Sequence, residues 1–191
     1  FENFVYELSD NEKGLLELAE KIEIFYERVL SISVDSPSEI IFLGANYDSF
    51  LTWPDFFKNH ITPYIKKYAD IAHKKNKYLL THTDGENEGL IQEYLDANID
   101  IADSICPRPM TSLSLEEVRE YFADNITIWG GLPSICVLED SMSDREFDRY
   151  INQFFKDICD GKNIILSFAD TTPPAARFDR IEKVARMAKN F

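Results

Sequence analysis

The apolar positions of the chain repeat with two periods that take turns from one end to the other. Over residues 11–32, Leu15, Leu18, Ala19, Ile22, Phe25, Tyr26 and Val29 recur at the roughly 3.6-residue spacing of an amphipathic helix. Ile40-Ile41-Phe42-Leu43 is apolar on both faces and stops at Gly44, which predicts a strand buried on both sides. Helical spacing returns over residues 54–75, with Pro54 in the first turn and Ile61, Tyr64, Ile65, Tyr68 and Ile71 on one face. Tyr78-Leu79-Leu80-Thr81 predicts a second strand, residues 88–97 a short helix, and Ile99 to Ile105 a third strand. Ser114, with Glu117 three residues on, has the form of a capping box that opens a helix through Phe122. Ile126-Thr127-Ile128-Trp129 predicts a strand closed by Gly130-Gly131. Ser143 and Glu146 repeat the box before a helix whose apolar face carries Phe147, Ile151, Phe154, Phe155 and Ile158. A last strand is expected from Asn163 to Phe168, and a last helix from about Arg177 to Lys189.

One leading helix and five strand–helix units therefore follow one another. Strands that are apolar on both faces and joined by helical crossovers make a parallel α/β sheet. Two architectures fit: a doubly wound open sheet, or a slice of a (β/α)8 barrel. No GxGxxG or Walker loop follows any predicted strand, so the usual signature of the nucleotide-binding open sheets is missing and the barrel slice is the expected fold. No linker, repeat or low-complexity stretch divides residues 1–191, which read as part of a single domain. Phe4, Val5, Tyr6 and Leu8 read as buried structure at once, and the first residue is Phe1 rather than Met; both predict further sequence upstream.

Composition narrows the function classes. With 34 acidic against 20 basic residues the net charge is −14, a field that repels nucleic acid. The longest apolar runs are a few residues, far short of the roughly 20 that a membrane span needs. Cys106, Cys136 and Cys159 are odd in number, widely spaced and form no CxxC pair. That argues against a disulfide framework or a thiolate zinc knuckle and favours a reducing cytoplasm. Cys136 and Cys159 are expected to be buried thiols, and His60 and His73 to be surface residues of the long helix.

In either architecture a ligand lies at the carboxyl ends of the strands. Those ends carry Asn46-Tyr47-Asp48, His82-Thr83-Asp84-Gly85-Glu86, Cys106-Pro107-Arg108, Gly130-Gly131-Leu132-Pro133, and Asp170 before Pro173-Pro174. His82 and Asp84 are two apart on extended chain and project to one side. With Asp170 from the last strand they could hold a divalent metal, since imidazole and carboxylate suit several, or form an acid/base cluster. The structural alternatives are a loop-pinning role for His82, a turn-forming role for Asp84 before Gly85, and a loop anchor in Asp170.

Four segments, taken in order, carry a resemblance. Trp53-Pro54-Asp55-Phe56-Phe57 through Pro63-Tyr64-Ile65-Lys66-Lys67 resembles the P-x-x-F-x-x-F-x-x-P-Y-x-K helix of the uroporphyrinogen decarboxylase superfamily. Leu80-Thr81-His82-Thr83-Asp84-Gly85 is similar to its H-x-C/D-G strand end. Trp129-Gly130-Gly131-Leu132-Pro133 resembles its G-N-L-D-P loop, and Leu166-Ser167-Phe168-Ala169-Asp170 with Pro173-Pro174 its last strand and I-P-P turn. The resemblance covers nearly the whole chain. It implies a (β/α)8 TIM barrel of that type, of which residues 1–191 are the C-terminal portion, about five β/α units.

The resemblance implies one of two chemistries. The decarboxylases place a serine where this chain has Ala45 and a histidine where it has Asp170, and their octa-anionic substrate wants a cationic mouth near which only Arg108 and Arg177 lie. The zinc methyltransferases use His, Cys and Cys at the positions of His82, Asp84 and Asp170, so here the histidine is kept and both thiolates become carboxylates. The leading expectation is thus a corrinoid-linked methyltransferase acting on a small-molecule substrate. His82, Asp84 and Asp170 would bind zinc or a harder divalent ion or serve as acid and base; Asn46, Tyr47, Asp48, Glu86 and Arg108 would bind substrate. The corrinoid would arrive on a partner protein, and a homodimer is compatible with this reading. The alternatives are a cofactor-free uroporphyrinogen decarboxylase and a non-catalytic corrinoid- or tetrapyrrole-binding barrel.

Overall fold

The computed structural model describes residues 2–191. Five parallel strands form one sheet in the order β1-β2-β3-β4-β5: β1 Ile40–Leu43, β2 Tyr78–His82, β3 Ile101–Ile105, β4 Thr127–Leu132 and β5 Ile164–Phe168. Each strand lies beside its successor and the order never reverses. A doubly wound sheet reverses at its switch point, so this unreversed winding is consistent with a partial α/β barrel.

The helices are α1 Glu2–Asp10, α2 Glu12–Val34, α3 Pro54–Phe56, α4 Thr62–Lys74, α5 Ile91–Asp96, α6 Leu115–Phe122, α7 Asp144–Asp157 and α8 Phe178–Lys189. Both predicted capping boxes form. Ser114 and Ser143 each accept the backbone N–H three residues on, and Glu117 and Glu146 reach back to the cap N–H. The helix expected over residues 54–75 is continuous but widened. Phe57–Ile61 is a π-helical turn between α3 and α4, and the Thr62 N–H bonds the Phe57 carbonyl. Pro63 explains the widening, because it has no N–H for the α-helical ladder and its ring crowds the preceding turn.

One face of the sheet is covered. Ile41, Leu79, Ala102 and Ile128 share a core with Ile65 of α4, Tyr94 of α5, Val118 of α6 and Phe154 of α7. The alternate strand positions face the other way, and there Ile40, Phe42 and Tyr78 are exposed, Phe42 by 60%. Among the described residues β1 pairs only with β2 and β5 only with β4, so both sheet edges are open.

Three expectations are corrected. Phe4, Val5 and Tyr6 lie on α1, which buries no residue, and along α2 only Leu30 and Val34 are buried; Ile22, Phe25, Tyr26 and Val29 are exposed. The periodicity gave the helix, but periodicity does not say what covers its stripe. Cys159 is exposed, at φ 53 in the turn after α7, whereas Cys136 is buried as expected. Gly130 and Gly131 continue β4 instead of closing it, paired with Leu166 and Ser167 of β5.

Candidate functional site

The carboxyl ends of β2 and β5 bring His82, Asp84 and Asp170 together. One ligand atom from each lies within 4.8 Å of the others. Two ligands on one ion, with bonds of about 2.0–2.6 Å, are at most about 4–5 Å apart, so the set has the span of a cation site. His82 and Asp84 are half-buried and Asp170 is exposed.

His82 is oriented by a residue that strand patterning does not single out. Its Nδ1 lies 2.7 Å from Oδ2 of Asp103, its direct partner across the β2–β3 register. Nε2 is then left as the imidazole donor atom. Asp103 is the one carboxylate in the run Ile101–Ile105, beside Ser104; an acid inside a strand read as buried was the available signal. Thr83 is fully buried, and both its N–H and its hydroxyl donate to the Asp103 carbonyl at 2.8 Å, which fixes how the chain leaves β2. The loop is framed by Asn87, whose amide donates to the carbonyls of Thr83 and Gly85 while Tyr94 donates to its oxygen.

Asp170 is set by a contact that crosses β4. Its N–H donates to the hydroxyl of Ser104 at 2.8 Å. Ser104 is the extra residue of a bulge in β3, at φ 67, where the register jumps from Asp103–Trp129 to Ile105–Gly130. Gly130 permits this approach. A Cβ there would lie 2.8 Å from the Ile105 carbonyl oxygen and 3.0 Å from the Ile105 nitrogen, at a φ of 143. A side chain on Gly130 would push the bulge away from β5.

Cys106 adjoins the same mouth but is buried. Burial first, and then the nearby charges of Asp84 and Asp170, push its thiol up to about 11, so it stays protonated.

The other residues expected at the site are engaged elsewhere. Tyr47 is buried, with its ring 4.9 Å from that of Phe57, and burial raises its phenol. Asp48 ties two loops: Oδ1 accepts the Phe50 N–H and Oδ2 the Glu86 N–H, and Gly85 is required because a Cβ there would meet Asp48 at 2.5 Å. Glu86 accepts the N–H and hydroxyl of Ser112, both at 2.7 Å, joining the β2 loop to the β3 loop. Burial pushes its carboxyl up, but hydrogen bonds from Glu88, Ser112 and Asn87 outweigh this and hold it below its ordinary value. Arg108 is exposed and pairs with the Ser112 carbonyl and with Glu117. Asn46 is exposed on the β1 loop. Of the sequence-derived set, then, the geometry gathers His82, Asp84 and Asp170, and the rest build the loops around them. His60 stacks on Phe56, and His73 is half-buried on Asp100 instead of free at the surface.

No protein-family model matches the chain, and no curated protein does. Among solved structures the chain is similar to a methyltransferase from Methanosarcina mazei, with a TM-score of 0.73 and 17% sequence identity. The match covers 97% of this chain and 52% of that one, so the chain spans about half the length of that structure. At this identity the likeness shows the fold.

Proposed function

We propose that the chain is part of a (β/α)8 barrel of the uroporphyrinogen decarboxylase type that transfers a methyl group between a corrinoid and a small substrate. The observation that carries this reading is the meeting of His82, Asp84 and Asp170 at the strand ends, on a fold like that of a methyltransferase. The open edges of β1 and β5 and the uncovered face bearing Ile40, Phe42 and Tyr78 support completion of the barrel by the remaining β/α units.

The donor set fits a divalent ion. His82 Nε2 and one oxygen each from Asp84 and Asp170 would hold it, an N/O set that suits zinc or a harder metal such as manganese. Bound there, the ion supplies Lewis-acid activation of a methyl donor or acceptor. The chain's own residues do the rest. Asp103 fixes the imidazole ring, Asn87 and Glu86 hold the loops, and buried Thr83 ties the end of β2 to the Asp103 carbonyl. The corrinoid is delivered by a partner protein in this reading, which is compatible with a homodimer. Three free cysteines accord with a cytoplasmic setting.

Decarboxylation of a porphyrinogen is the less supported alternative. Arg108 is paired with Glu117, and Arg177 with Asp144 and Asp179, so neither guanidinium is open to an octa-anionic substrate. A binding barrel without turnover is the remaining alternative. The discriminating experiment incubates the full-length protein with methylcobalamin and a panel of thiols and methylated amines, following the corrinoid spectrum. Substrate-dependent demethylation is expected. Its absence, with conversion of uroporphyrinogen or with ligand binding alone, would replace this reading by one of the alternatives.

A further inference from the structure

We infer that the β3 bulge, Asp103 and Ser104 together, is the device that positions two of the three mouth side chains, one on either side. The inference rests on the His82–Asp84–Asp170 reading for its consequence, but its geometry is independent of any ion. Asp103 faces β2 and takes the Nδ1 side of His82 at 2.7 Å. The next residue, Ser104, reaches the opposite way, over β4 to the end of β5, and accepts the Asp170 N–H at 2.8 Å. In a regular strand, consecutive residues point to opposite faces, and neither can serve a strand two places away. Here the bulge breaks that rule. Ser104 sits at φ 67, an uncommon conformation for a residue with a Cβ, and is buried.

Two further observations fit this role. Gly130 lets the bulged backbone of β3 lie close against β4, since any Cβ there would strike the Ile105 backbone. Asp170 is itself at φ 56, so the backbone that presents its carboxylate adopts a conformation that needs an anchor, and the Ser104 hydroxyl is one. Both are positioning residues: Asp103 selects the imidazole tautomer that leaves Nε2 free, and Ser104 fixes where the Asp170 carboxylate starts.

The test uses the full chain with Asp103→Asn, Ser104→Ala and Ser104→Gly. Asp103→Asn keeps the shape, but its amide donates to Nδ1 and moves the proton to Nε2. Ser104→Gly removes the hydroxyl while accepting the positive φ without strain, so it serves if the Ala variant does not fold. Two readouts are taken. The first is affinity for Mn2+, Zn2+ and Co2+ by calorimetric titration, with far-UV circular dichroism as the control for folding. Each variant is expected to weaken binding by about 10-fold or more. The second is the 15N spectrum of His82 at fixed pH in the metal-free protein, where the wild type is expected as the Nδ1–H tautomer and Asp103→Asn as Nε2–H. Wild-type metal binding that all three variants retain would overturn the inference and leave the metal reading intact. A wild type that binds no metal would remove the metal reading. In that case an unchanged His82 tautomer in Asp103→Asn would overturn the positioning role as well, and a switched tautomer would uphold it.

Discussion

Replacing Arg180 with alanine is expected to cost roughly 3–5 kcal/mol of folding stability. The side chain comes from α8 and is 2% exposed. Its guanidinium donates to the carbonyls of Cys136 and Leu138 through Nη1, and to the Met142 carbonyl and Asp144 through Nη2, at 2.7–3.1 Å. It also lies 5.0 Å from the centre of the Phe147 ring. These bonds hold the irregular segment between β4 and α7. Truncation would leave the buried Cys136 carbonyl without a donor, at about 1–3 kcal/mol, remove the donors of the part-buried Leu138 and Met142 carbonyls, and open a cavity beside Phe147. Lysine keeps the charge but cannot fork to four acceptors, so Arg180→Lys is expected to recover only part of the loss. Urea denaturation at neutral pH measures both. An Arg180→Ala variant within about 1 kcal/mol of the wild type would show that the segment finds other partners.

The same cluster sets a pH dependence. The hydrogen bond from Arg180, opposed by desolvation and helped by the charge of Arg177, holds the Asp144 carboxyl below its ordinary value. A group whose folded pKa is depressed contributes stability that is present above its unfolded pKa, about 3.9 for aspartate, and is lost as pH falls through the folded value. The wild type should therefore lose this contribution only below about pH 4. Asp144→Asn should be less stable at neutral pH and show a flatter acid limb. Equal acid limbs would mean that the pair contributes nothing.

His82→Ala is the second large expectation, and it concerns chemistry. It removes the nitrogen donor of the mouth and leaves Asp84 and Asp170 facing each other with no neutral ligand between them. Losing an outer partner such as Asp103 typically costs about 10–100-fold in metal affinity, so losing the ligand itself should exceed about 100-fold. Methylcobalamin demethylation should fall by a comparable factor. The fold should persist, because His82 ends its strand and Thr83, which anchors the loop, is untouched. Unchanged turnover in a folded His82→Ala protein would move the chemistry elsewhere in the barrel.

Much of the fold could be read from the chain because its signals are local. The switching periods located all five strands, and the two Ser-x-x-Glu boxes gave the starts of α6 and α7 to the residue. Convergence of His82, Asp84 and Asp170 was also accessible, since it follows from where parallel strands end. What stayed hidden depends on distant contacts. Ser104 serves Asp170 across 66 positions of sequence, through a bulge with no local signature. Asp103 lies within the stretch Ile99 to Ile105, which reads only as a strand, although a carboxylate inside it was the clue. Asp48 and Tyr47 were expected at the mouth because they follow β1, but tight packing of the loops turns one into a brace and the other into core. The stripe on α2 gave the helix but not what covers it, and most of the stripe is exposed, because burial depends on a partner that a period cannot name.

The most direct measurement is metal content. Purified full-length protein, incubated with zinc, manganese or cobalt and then cleared of loosely held ions, should retain about one ion per chain by elemental analysis, an N/O set of this kind being a competent divalent site. His82→Ala treated in the same way should retain none. A wild-type protein that comes through with no bound metal would contradict the reading of the strand-end cluster as a metal-assisted methyl-transfer site.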